Sequence, residues 1–222
     1  TPETETLVTL TLTEEGDIYF PEGTVVEVTP SYDIKSVAGV PDLGEGIGIL
    51  GGTTATFTLG PYDVLNLETP FVNIFEFPPM PDLTGTIVTS DLPVAVFTGV
   101  DLTVVSSGFS PDPCCAEHLE QQVLPTRAMR TDFVVTHSAM RSTTSPEADV
   151  YRVLAISPNT TVTTNLPGPD ASFSLAAGEF REFNATSGFV LQASAPVHVA
   201  QFLVAGGDVT AARTTVKNVD GD

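Results

Sequence analysis

Residues Ala171–Val199 read ASFSLAAGEFREFNATSGFVLQASAPVHV, and two parts of this stretch return earlier in the chain. Ala171–Asn184 resembles Ala55–Glu68 (ATFTLGPYDVLNLE), and Gly188–Val199 resembles Gly85–Val96 (GTIVTSDLPVAV), with a glycine and a proline eight residues apart in both. The offsets are 116 and 103 residues and the order is kept, which is the mark of an iterated structural unit. In each copy a strand ends at a small-residue turn, at Gly178 in the later one, and an aromatic-rich strand returns. A polar pair ahead of Pro93 or Pro196 then predicts a tight corner into an apolar strand. Those last strands, VAVF and VHVAQFLV, lack clean alternation, as expected for strands covered on both faces. A weaker echo in Ile18–Thr29 makes residues 1–52 read as the tail of an earlier unit. Residues 53–126 then form a first full unit, and 127–222 a second that is truncated at its end.

Working outward, Val8, Leu10 and Leu12 alternate with threonines, and Thr24–Thr29 (TVVEVT) repeats that period of two. Further strands are predicted at Ala55–Leu59, Asp63–Leu67, Thr86–Thr89, Val94–Thr98, Phe133–Thr136, Val150–Ile156, Thr160–Thr164, Ser172–Leu175, Glu179–Phe183, Phe189–Ala193 and Val197–Val204. Eighteen glycines and eighteen prolines in 222 residues, with abundant threonine, exclude a helical bundle. One short helix is predicted near 113–122, where Asp112-Pro113 supplies a cap and a first-turn proline. The run FVNIFEFPPMPD, Phe71–Asp82, reads as a packed excursion, and Pro41–Gly52 as a loop. The fold class is therefore all-β, built of antiparallel sandwich-like units in an internal repeat, with a propeller-like arrangement as the alternative.

Eight basic residues against 28 acidic ones give a net charge of −20, which repels a phosphate backbone and excludes nucleic acid as a partner. Residues 1–126 hold 19 acidic residues and one basic residue, Lys35; residues 127–222 hold nine and seven. A field of one sign over the first half supports solubility, a basic partner or cation binding, and leaves calcium open without requiring any cofactor. With hydrophobic residues at 41% the chain is too apolar for disorder. No apolar run approaches the roughly 18 residues of a membrane helix, so membrane insertion is not expected. The composition, rich in threonine and poor in lysine, points to a secreted or cell-surface setting, where the sequons at Asn159 and Asn184 would have meaning.

Cys114 and Cys115 are adjacent and are the only cysteines, which leaves a vicinal bridge, two thiols or an intermolecular bond. With His118 they spell Cys-Cys-x-x-His, short of the spacing of a zinc ribbon. A thiol- or metal-dependent hydrolase centred on Cys114, Cys115 and His118 is the enzymatic alternative, with His118 about one helical turn from Cys114. A loop-anchoring pair is the favoured reading. His137-Ser138 follows a strand signal without a Gly-x-Ser-x-Gly elbow, and His198 sits in an apolar strand as a core or interface residue. Pairs such as Glu14-Glu15 or Glu179 with Glu182 are expected by chance among 28 acids.

From Asp82 to about Gly206 the chain resembles the N-terminal domain of the IgG Fc-binding protein family, a module of secreted mucus proteins and bacterial surface proteins. The phrases that carry the likeness are DLTGTIVTSDLPVAVFTG, EHLEQQVLP, DVYRVLAISPNTTVT and LAAGEFREF, with TVVEVTP and TTATFTL extending it toward the start. The family usually has a cysteine shortly after the Phe-x-Gly that matches Phe97-Thr98-Gly99, a partner for the one before His-Leu; Val100–Val104 contains none. The final VDGD resembles the start of a phrase that continues in the family, which implies a larger parent chain with strands missing here at both ends.

The resemblance implies an extracellular, non-enzymatic binding or adhesion module with a protein or glycoprotein partner. It places no Fc-contacting residue on this sequence. A purely structural, calcium-stabilised surface module is the remaining alternative. Gly85, Pro93, Gly99, His118, Gly178, Gly188 and Pro196 are expected to serve shape, and no residue is assigned a catalytic or metal-binding role.

Overall fold

The structure, a computed structural model, describes residues 6–12, 24–31, 33–38, 48–60, 62–69, 81–107, 115–141 and 147–206. It is all-β and divides into two compact units, residues 1–103 with 118–124, and residues 104–117 with 125–222. Residues 1–52 are thus not set apart from 53–103 as the sequence suggested; their strands pair with those of the later segment.

The first unit contains β1 (Thr6–Leu12), β2 (Thr24–Thr29), β3 (Ser36–Ala38), β4 (Ala55–Leu59), β5 (Val64–Glu68), β6 (Ile87–Ser90), β7 (Val94–Thr103) and β8 (Glu117–Gln122). One sheet has the order β3-β5-β1-β7-β8 and the other β4-β2-β6. Alternation decides which side chains enter: Val26 and Val28 of β2, Phe57 and Leu59 of β4, and Leu65 and Leu67 of β5 are all buried in one core. Because that core joins strands of both sheets, the unit is a sandwich.

The second unit contains β9 (Arg130–Val135), β10 (Asp149–Ala155), β11 (Thr160–Thr164), β12 (Ser172–Leu175), β13 (Phe180–Ala185) and β14 (Phe189–Leu203). They form one curled sheet, β12-β11-β14-β10-β13, with β9 also on β14. Its halves enclose a core of Tyr151, Val153, Val162, Leu175, Phe183, Phe189, Leu191 and Val197. Tyr151 meets Phe189 edge-on at 4.9 Å. A propeller would need blades that are meanders of sequential strands; these orders are not meanders, and what forms is a two-sheet sandwich in the first unit and a single curled sheet in the second.

The two units share their pairing. β2 pairs β4 with Thr24 opposite Leu59 and Val26 opposite Phe57; β11 pairs β12 with Thr160 opposite Leu175 and Val162 opposite Phe173. Val26 faces Ser90 on β6, and Val162 faces Ala193 on β14. In the opposing layer, Val8 of β1 lies between Leu67 and Thr98, and Tyr151 of β10 between Phe183 and Gln201. The offsets of 116 and 103 residues that align the sequences also align the partners on β4 with β12, on β5 with β13, and on β6 and β7 with β14.

Two expectations are corrected. The helix near 113–122 is not formed over its second half, because Glu117–Gln122 is strand β8 on the edge of β7. Glu, Leu and Gln are good helix formers, but β7's row of unpaired backbone groups offers a ladder that outweighs a propensity difference of well under 1 kcal/mol per residue. The corner at Pro196 is also absent: β14 runs unbroken from Phe189 to Leu203. Pro196 lies where β11's pairing has ended at Ala193, β10's begins at Val197, and β9's register shifts between Gln192 and Val197, so no ladder needs its missing N–H. At Pro93 the corner is present, between β6 and β7. Residues 71–80 of the predicted excursion and most of the Pro41–Gly52 loop lie outside the described residues; Ile49 bridges Ile34.

Candidate functional site

Where β9 ends beside the start of β10, a polar cluster is enclosed in the second unit. Asp149 and Tyr151 are two apart on β10 and share a face, and Gln201 of β14 is the register partner of Tyr151. Asp149 is 1% exposed at its side chain. Its Oδ2 accepts hydrogen bonds from the Ser138 backbone N–H at 2.7 Å, Gln201 Nε2 at 2.7 Å and the Tyr151 hydroxyl at 3.3 Å. His137 Nδ1 donates to the Ser138 carbonyl at 2.6 Å, and its Nε2 lies 3.9 Å from Asp149 Oδ2. His137 Nε2 and Asp149 Oδ1 have no hydrogen-bond partner.

Burial alone would raise the Asp149 carboxyl, but hydrogen bonds from Ser138 and Gln201 and the charge of His137 outweigh it and hold the group below its ordinary value. Burial, followed by the neighbouring carboxylate, pushes the Tyr151 phenol up to about 12. Close by, the buried Glu147 pairs with Arg141, whose guanidinium also donates to the Val204 carbonyl at 2.6 Å.

Ser138, His137 and Asp149 have the composition of a nucleophilic triad but not its connectivity. The imidazole Nδ1 is spent on a carbonyl, the Ser138 hydroxyl accepts from Gln201 Nε2 at 3.1 Å, and the carboxylate holds a backbone N–H. The cluster is a clasp that ties the end of β9 to β10 and β14. At the positions aligned with Asp149, Tyr151 and Gln201 the first unit has Thr6, Val8 and Thr98, so the clasp belongs to the second unit alone.

The residues singled out from the sequence are dispersed. Cys114 lies outside the described residues; Cys115 is exposed with φ of 79°. His118 is on strand β8 rather than a helical turn from Cys114. It is 57% exposed and sits 3.6 Å from Glu120 and 4.0 Å from Asp101. Among the described residues no group of three or more His, Cys, Asp or Glu is placed to hold a metal ion.

Gly85 and Gly178 take φ of 93° and 78° at turns. Gly99 and Gly188 sit in close approaches, where a Cβ would lie 2.9 Å from the Leu119 carbonyl oxygen and 2.8 Å from that of Val135. Half-buried His198 is held below its ordinary value by burial. Glu179 and Glu182 do not act together: Glu179 accepts the Ala176 N–H in a turn, and Glu182 pairs with Arg152, which lies over the Phe180 ring at 4.4 Å. Sequence reading passed over Asp149 and Gln201 because their partners are 52 residues apart, and no local pattern marks them.

A family model described as IgGFc binding protein matches residues 20–222. A human protein named IgGFc-binding protein is 30% identical over 198 residues, which covers 87% of this chain and 3% of the human protein. The chain therefore spans a small part of that relative's length. No solved structure matches the chain. Among the described residues no helix is long and apolar enough to cross a membrane.

Proposed function

This chain belongs to the IgGFc-binding protein family, and from that premise we propose that it is a non-enzymatic binding module of a secreted or cell-surface protein. In this reading two iterated units present an exterior to a protein or glycoprotein partner, within a larger parent chain. The family match over residues 20–222 carries the reading. Two structural facts support it. The same strand registers recur in both units, as an iterated scaffold requires. In the polar cluster described above, the hydrogen bonds to Asp149 tie β9, β10 and β14 together, as a structural clasp does.

The first-half charge, 19 acidic residues to one basic, favours a partner with a basic face, and such association weakens with salt. Binding of the purified chain to arrayed glycoproteins, mucin glycans and immunoglobulin Fc, at low and physiological salt, tests the proposal. Saturable binding to one of them supports it, and Fc is one arm of that test rather than the proposed ligand. Turnover of an ester or peptide substrate lost on Cys115→Ser or His118→Ala, with no binding to any arrayed partner, would overturn it.

A further inference from the structure

The shared registers make one vacancy visible. In the second unit, β9 runs along the outer edge of the first half of β14, with Val135 opposite Phe189, Val134 opposite Val190, Phe133 opposite Leu191 and Asp132 opposite Gln192. It brings Phe133 and Val135 against that unit's core. The offset of 103 residues carries those β14 residues onto Thr86–Thr89, in and beside β6. Yet β6 is the last strand of its sheet, with β2 on one side and no strand on the other among the described residues. The exposure of the aligned core-facing residues follows: Leu191 is 1% exposed, whereas Val88 in its place is only half-buried.

At Gly188 the Val135 carbonyl comes so close that no Cβ would fit; the aligned position beside β6 is also a glycine, Gly85, which its turn φ of 93° accounts for. The other edge does not follow this logic. Gly99, which admits β8 against β7, aligns with Phe202, so no missing strand is inferred on the second half of β14.

The spacing says where the missing strand comes from. β9 begins at Arg130, 19 residues ahead of Asp149, where β10 starts. β1, the counterpart of β10 in the pairing, starts at Thr6, so a counterpart of β9 at that spacing lies ahead of Thr1. We propose that the outer edge of β6 is a strand-docking site, filled by an antiparallel strand of the β9 type from the polypeptide that precedes residue 1 in the parent protein. The occupant places apolar side chains opposite Thr86 and Val88 and polar ones outward, and its main chain supplies the missing ladder. This inference rests on the reading of two iterated units.

The test uses the full chain and, as a surrogate donor, a peptide with the β9 sequence Ala128–Ser138 (AMRTDFVVTHS). Amide exchange of Ile87–Ser90 is expected to be fast in the chain alone and to slow about tenfold or more with saturating peptide. A Phe133→Asp peptide should have no such effect. Extending the chain with its natural preceding residues should give the same protection without peptide. Three results overturn the proposal: slow exchange in the isolated chain at low concentration, which means the edge is covered from within; protection that grows with protein concentration, which means a second copy; or no response to peptide and extension. Cross-strand proximities of Val26 to Ser90 and Val162 to Ala193, read from the same spectra, separate the two failures. If they are present without docking, the iterated units stand and only the docking site falls.

Discussion

Replacing Asp149 by Asn removes one charge from the second unit while keeping its shape. The carboxylate oxygen Oδ2 accepts three hydrogen bonds, from Ser138 N–H, Gln201 and Tyr151. An asparagine can place its carbonyl there, with its amide nitrogen at the position of the unpartnered Oδ1. Hydrogen bonds to a charged acceptor contribute about 1.5–3 kcal/mol and neutral ones about 0.5–1.5 kcal/mol. The loss over three bonds is partly offset, because a buried charge no longer has to be desolvated. The net cost is about 1–2 kcal/mol, or roughly 5–10 °C in the midpoint of a unit of this size.

The pH profile is more telling than the magnitude. The folded-state value of Asp149 is lowered, so its contribution is present above the unfolded value of 3.8 and is lost as pH falls through the folded one. Calorimetric melts from pH 7 to pH 2 should therefore show native chain and Asp149→Asn converging in acid and diverging toward neutrality. Equal midpoints at pH 7, or a gap that widens in acid, would refute the account of the clasp.

Gly188→Ala should cost about 1–3 kcal/mol, because its Cβ would lie 2.8 Å from the Val135 carbonyl and push β9 from β14; faster amide exchange along Arg130–Val135 is the check. Arg141→Met leaves the buried Glu147 unpaired and should lower stability by about 3–5 kcal/mol in denaturant titration, whereas the double variant with Glu147→Leu should recover much of it. Tyr151 should ionise near pH 12. Its raised value means stability that is intact below pH 10 and is lost as pH rises toward 12, read by ultraviolet titration of the native chain against Tyr151→Phe. Leu191→Ala, at a fully buried position, should cost about 3–5 kcal/mol in the same titration.

The all-β class and most of the strands were legible in the order of residues, because a period of two and glycine turns are local properties that survive in any environment. Thr24–Thr29, Ala55–Leu59, Thr160–Thr164 and Ser172–Leu175 stand in the structure with the predicted bounds. The 116- and 103-residue offsets were also readable, since they compare one local pattern with another. Strand β8 was not, because EHLEQQ holds no strand signal of its own and is extended only by the edge of β7. Nor was the straight passage through Pro196, which depends on three neighbouring strands leaving the same gap. The clasp around Asp149 likewise needs partners from β9, β10 and β14 to converge. Periodicity and turn chemistry act between near neighbours and so are written along the chain. Pairing partners, burial and the ionisation of an enclosed carboxylate arise from residues distant in sequence, and only the folded sheets bring those together.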